Sequence, residues 1–306
     1  MVSVHSNQQI ANLRPWWWFL FLAAVSLMIG GHTLLILLAL AGRNDAYTHI
    51  LLIVPIVAGL IYLEWPTARL TVAPSWRAGS IFLLSAAIVA VLAKWGTSSL
   101  GSDVQLSIST LAIVLWWIGA FVACFGTRTS RSLLFPLCFL LCLVPLPTFL
   151  LDAIVGFLQR GSADAAQLLF NAVGVPVVQD GIRLSIPGLT VEVAQECSSI
   201  RSSLILLVST MVLAQLFLRS PWRKAFVIAV VVPLSLAKNG LRIFTIAMLG
   251  TRVDPGFLNG KLHHNGGVIF LAIALLVIFL LLWILRDEKS RPSETTLRPA
   301  VSTARK

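Results

Sequence analysis

Long apolar runs punctuate this chain, and they decide what it can fold into. An α-helix needs roughly 20 predominantly apolar residues to cross the hydrocarbon core of a bilayer. Eight stretches meet or approach that length, at 15–40, 48–64, 78–97, 105–126, 133–150, 198–218, 225–249 and 266–285. Only 11% of the 306 residues are charged and 58% are hydrophobic, whereas a soluble domain carries about 25% charged residues. The expected fold class is an all-α polytopic membrane protein with about eight transmembrane helices and a small extracytoplasmic segment. The first run is too long for a signal-peptide core and no small-residue cleavage site follows it, so it reads as a retained span. The expected organisation is a cytoplasmic N-terminal tail 1–14, a transmembrane domain 15–285 and a basic cytoplasmic tail 286–306 beside anionic lipid.

The formal net charge of +11 would point to nucleic acid in a soluble protein, but no nucleic-acid motif accompanies it, and its distribution points to the lipid bilayer as partner. With eight spans and the N-terminus inside, 14 Lys and Arg residues fall in inner segments and 6 in outer ones. The positive-inside rule then places both termini in the cytoplasm. Ser162 and Ser290 mark the two sides in that topology.

The largest segment between spans is 151–196, expected outside. Apolar residues at 151, 154, 155 and 158, and again at 165, 168, 169 and 172, have helical spacing. They predict one or two amphipathic helices lying in the interface or packed on the bundle. The period then changes. Asp180-Gly181 and Pro187-Gly188 are turn signals, and Ile182, Leu184 and Ile186 alternate with Arg183 and Ser185. Val191 and Val193 alternate with Thr190 and Glu192. The expectation is a short β-meander over 175–196, whose edge would take an extended substrate as an added strand.

Four cysteines form no CxxC pair and no even outer set, so neither a disulfide framework nor a zinc site is expected. Cys124, Cys138 and Cys142 fall within spans and read as small packing residues. Cys197 differs, because it sits at a strand-to-helix junction on the expected outer face. A thiol in the first turn of a helix feels the positive end of the dipole, which favours thiolate.

The seventh span carries Lys238, Asn239 and Arg242, with Asn239 and Arg242 three apart and on one face. A charge inside a span costs a few kcal/mol, roughly 2.5–3.5, on insertion scales and marks either an internal pair or a functional site. His263 and His264 open the eighth span. Successive helices therefore bring Cys197, Arg242 and His263 toward one membrane face. A thiol needs a base, and a developing oxyanion needs a fixed positive donor.

Cys197-Ser198-Ser199-Ile200-Arg201-Ser202, Asn239-Gly240-Leu241-Arg242-Ile243 and His263-His264-Asn265-Gly266-Gly267 follow one another in that order. This ordered set resembles the exosortase/archaeosortase family of membrane cysteine proteases or transpeptidases. The segments at 47–65 and 135–152 look similar to the family's too, so the likeness covers roughly 45–275. The resemblance implies Cys197 as nucleophile, His263 as general acid/base and Arg242 as transition-state donor, with Asn239, His264, Arg201 and His49 as supporting candidates. His263 is preferred to His264 because Gly267 then keeps the family's spacing. Ser199 stands where the family usually has Gly.

No cofactor or metal is expected, since the adjacent His263 and His264 point different ways and no carboxylate lies nearby in sequence; the resemblance further implies cleavage of PEP-CTERM-like C-terminal sorting signals on exported proteins. It implies a bacterial inner membrane, with the active site toward the periplasm. The competing class is a non-catalytic scaffold or transporter serving export or polysaccharide assembly. A transporter should show broken helices in paired halves, and no such repeat is visible here. A rhomboid-like serine enzyme is a third option, but there is no Gly-x-Ser-x-Gly elbow.

Overall fold

A computed structural model describes residues 2–68, 72–95, 101–193, 200–254, 256 and 261–286, with side chains from Pro15 onward and, in the last helix, from Gly267. The architecture is a multi-pass helical bundle with one small sheet, as expected. Its helices are α1 (Val2–Arg43), α2 (Ile50–Ala68), α3 (Trp76–Trp95), α4 (Ser102–Phe125), α5 (Thr127–Ser132), α6 (Leu134–Phe139), α7 (Thr148–Ala172), α8 (Ile200–Phe217), α9 (Pro221–Arg252) and α10 (Lys261–Leu285). Among the described residues, 7 helices are long and apolar enough to cross a membrane.

The expected span at 133–150 is not one helix. The chain continues α6 as a 3-10 turn over Leu140–Leu143, then bends by 97° into α7. Prolines 145 and 147 lie at that bend, where their missing N–H groups do not support a continuous helix. Side chains from neighbouring elements hold the freed backbone in place. Tyr47 Oη donates to the Leu146 carbonyl at 2.7 Å, and Ser107 Oγ to that of Pro145 at 2.8 Å. Asp103 accepts from the Thr148 N–H at 2.9 Å, capping α7 from outside its own sequence. The chain thus returns from the end of α4 to its beginning by a broken path.

The expected helical part of 151–196 is also corrected in detail. The expected amphipathic stretch is a single helix, α7, and its buried face is Val155, Leu158, Ser162, Ala163, Ala166 and Phe170. Leu168 and Ala172, assigned to the apolar face from spacing, are exposed. Small residues let two helix backbones approach closely. Accordingly Gly161, Ser162, Ala163 and Ala166 take the packed side against α9.

The predicted meander is present as three antiparallel strands in the order β1 (Val178–Asp180), β2 (Arg183–Ile186) and β3 (Leu189–Glu192). Both turns fall where expected. Gly181 and Gly188 have φ of 60° and 82°, values glycine adopts without steric cost. Pro187 ahead of Gly188 matches the residue order of a type II turn. Leu184 and Ile186 point into a cluster with Phe170 of α7 and with Ile243 and Ala247 of α9, while Arg183 pairs with Glu192 on the exposed face at 3.0 Å.

The sheet marks one end of the bundle. At the opposite end, Trp16, Trp65, Phe121 and Phe125 form an aromatic cluster. Also at that end, Gln215 donates to Glu64 at 3.1 Å and accepts from Lys224 at 2.7 Å, tying α2, α8 and α9 together.

Candidate active site at the sheet end

The chemistry-bearing residues of α9 occupy its half nearer the sheet. Lys238, Asn239 and Arg242 are all buried, at 7%, 1% and 8% exposure, so this polar row faces protein rather than lipid. Burial of such groups is tolerated only where they find partners. Asn239 Nδ2 donates to Ser162 Oγ of α7 at 2.9 Å. Its Oδ1 accepts no hydrogen bond among the described residues.

The Asn239–Ser162 contact depends on the residue next to it. A Cβ on Gly240 would lie 2.6 Å from Ala165 Cβ and 2.9 Å from Ala166 N, inside van der Waals contact. Glycine at 240 therefore sets how closely α7 approaches α9, and with it the reach of Ser162.

Lys238 Nζ donates to Ser202 Oγ of α8. This contact fixes the register of two helices that run in opposite directions through the short connection at 218–220. Arg242 is one turn beyond Lys238 toward the sheet end, on the same face. On α8 the same direction leads from Ser202 back to Ile200, the start of the helix, which Cys197 precedes by three residues in the sequence. Cys197 itself lies in 194–199, outside the described residues.

α10 runs antiparallel to α9. Arg223 Nη1 reaches the Leu285 carbonyl at 3.1 Å at the end away from the sheet, and Val227, Val231, Ala274, Ile278 and Leu282 share one cluster with Leu206, Ala214 and Leu218 of α8. Arg242 is eleven residues beyond Val231, and His263 is eleven residues beyond Ala274 in the same direction. At 1.5 Å per residue both stand about 16 Å from the shared cluster. His263 and His264 belong to the first turn of α10, and their side chains lie outside the described residues.

The remaining candidates sit on the rim of this region. Arg201 Nη1 forms a 2.8 Å ion pair with Asp45 Oδ1, in the turn between α1 and α2. His49, at the start of α2, is half-buried with Nδ1 3.1 Å from the Ala46 carbonyl oxygen. Arg201 and His49 therefore meet through one turn, beside the beginning of α8. Sequence reasoning did not assign Ser162 or Ser202 to the site. The signal for Ser162 was the small-residue run at 161–163 opposite Gly240, while Ser202 had none beyond its place in the cysteine motif.

A polytopic membrane fold thus brings a buried polar row on α9, the start of α8 and the histidine-bearing start of α10 to one end of a helical bundle. This is the class of polytopic membrane proteins with polar side chains buried inside the bundle. The family model for transmembrane exosortases matches residues 41–280, and the chain belongs to that family. No curated protein and no solved structure matches it. Membership supports a membrane protease or transpeptidase role in general.

Proposed function

We propose that the chain is a cysteine peptidase or transpeptidase that cleaves C-terminal sorting signals, and that the sheet end faces the outside of the inner membrane with both termini in the cytoplasm. The observation that carries this reading is the Lys238–Ser202 contact. Arg242 lies about one turn from that contact on α9, and in the same direction α8 runs back to its start at Ile200, three residues after Cys197 in the sequence. The substrates are exported proteins ending in a PEP-CTERM-like motif, an apolar span and a basic tail. Such a tail would be held in the cytoplasm by the same charge asymmetry that orients the enzyme.

In the proposed reaction the Cys197 thiolate adds to the scissile carbonyl carbon. His263 takes the thiol proton and gives it to the amine that leaves as the C–N bond breaks. Arg242 holds the negative charge that develops on the carbonyl oxygen. The acyl-thioester is then resolved by an amine or by water, with His263 removing the proton of the attacking group. Asn239 holds α7 against α9 and so fixes the helix that carries Arg242. The decisive experiment co-expresses the chain with a reporter bearing such a tail. Cys197→Ala should leave the reporter unprocessed. Full processing by that variant would replace the enzyme reading with a non-catalytic scaffold.

A further inference from the structure

The sheet has two edges, and its seating on the bundle distinguishes them. β2 packs on α7 and β3 on α9, while α8 and α10 pack on α9. The order β1-β2-β3 therefore puts β3 on the side of α9, the helix on which α8 and α10 also pack. The free edge of β1 lies on the side of α7.

The register shows which main-chain groups line the β3 edge. Leu184 pairs with Val191 and Arg183 with Glu192. Val193 N–H donates to the Ile182 carbonyl at 2.9 Å, so Val193 and Val191 direct their N–H and C=O groups at β2. Antiparallel pairing alternates, so Thr190 and Glu192 direct theirs outward. β3 is the terminal strand of the sheet among the described residues. Five residues after Glu192 the chain reaches Cys197.

We infer that the outward main-chain groups of Thr190 and Glu192 bind an extended segment of the protein substrate as a fourth strand, and that this edge rather than that of β1 delivers the scissile bond to Cys197. This rests on the peptidase reading above. An extended peptide offers N–H and C=O groups at the spacing these two residues present, which gives affinity independent of sequence. Arg183 and Glu192 engage each other on the exposed face, leaving the edge itself to main-chain pairing.

Proline provides the test. At Thr190 or Glu192 it removes an N–H that makes no bond within the sheet, and edge strands tolerate proline in that orientation. At Leu184 or Val191 it would break the sheet itself. The probe is a co-expressed reporter protein ending in Pro-Glu-Pro, an apolar span and a basic tail. Thr190→Pro and Glu192→Pro should each lower its processing by roughly 3- to 10-fold, the worth of about one hydrogen bond. Gln179→Pro, on the far edge, should leave processing within about twofold. A photo-crosslinking residue at 190 in a Cys197→Ala background should capture the reporter, and one at 179 should not. Wild-type processing by both β3 variants, or capture at 179 and not at 190, overturns the assignment. An active Cys197→Ala enzyme would instead overturn the peptidase reading, so the two failures are distinguishable.

Discussion

Asn239 of α9 and Ser162 of α7 are hydrogen-bonded at 2.9 Å, and both are 1% exposed. The pair has no access to water that could replace a lost partner. Ser162→Ala leaves the Asn239 amide N–H buried and unsatisfied, which costs about 1–3 kcal/mol. Gly240→Ala drives a methyl group into Ala165 and the backbone at Ala166, an overpacking cost of about 1–3 kcal/mol. Both variants should unfold at lower temperature than wild type in detergent, followed by tryptophan fluorescence. An unchanged midpoint for Gly240→Ala would show that α7 does not pack on α9 in this way.

Lys238 and Ser202 make the corresponding contact between α9 and α8. Removing the hydroxyl strands a buried ammonium, so Ser202→Ala should destabilise by about 1–3 kcal/mol. Replacing both partners with apolar groups removes the unsatisfied donor, so Lys238→Met with Ser202→Ala should recover most of that loss. The double variant should nevertheless process the reporter at least tenfold more slowly, because the register between α8 and the part of α9 that carries Arg242 is no longer pinned. Recovery of stability together with wild-type processing would remove the positioning role of this pair.

Much of the architecture was legible because apolar run length and charge alternation are direct consequences of bilayer thickness and strand pleat. The meander at 178–192 is the clearest case, since its Gly and Pro positions permit few other conformations. The failures have a common physical origin. Spacing of large apolar residues predicts the buried face of a helix in water, but Leu168 of α7 is exposed while Ser162 and Ala163 are buried. Where two helix backbones approach closely, small residues make the contact and leucine is left outside it. The break at 144–147 was hidden for a similar reason, because a run of leucines scores as a span whatever path its backbone takes. Lys238 and Asn239 were legible as candidates because intramembrane polar groups stand out. Their partners were not, since Ser162 and Ser202 are ordinary residues in ordinary surroundings until the helices are docked.

Topology is tested by impermeant thiol labelling of single cysteines in a cysteine-free background. Ser162, in the middle of the outer segment by sequence, is buried against α9 and unsuitable. Asn171, near the end of α7, is exposed. Asn171→Cys should label in intact cells, and Ser290→Cys only after permeabilisation. The reverse pattern would invert the orientation and place the sheet in the cytoplasm.

The mechanism makes the most demanding prediction, because it assigns different kinds of loss to different residues. Cys197→Ala removes the nucleophile and should abolish reporter processing while still permitting capture of the reporter. His263→Ala should be nearly as damaging, since neither the thiol proton nor the leaving amine is then served. Arg242→Ala should cost on the order of 10²–10³ in rate, the usual cost of a missing oxyanion donor. Arg242→Lys should recover little of this, because a point charge on a flexible stem does not reproduce a planar fork of donors. Processing rates for the four variants, at matched membrane abundance, decide the assignment. If His264→Ala were inactive and His263→Ala active, the base would move by one residue and the rest would stand. If Arg242→Ala processed the reporter at the wild-type rate, the buried cation of α9 would be a structural feature and the oxyanion donor would have to be sought elsewhere.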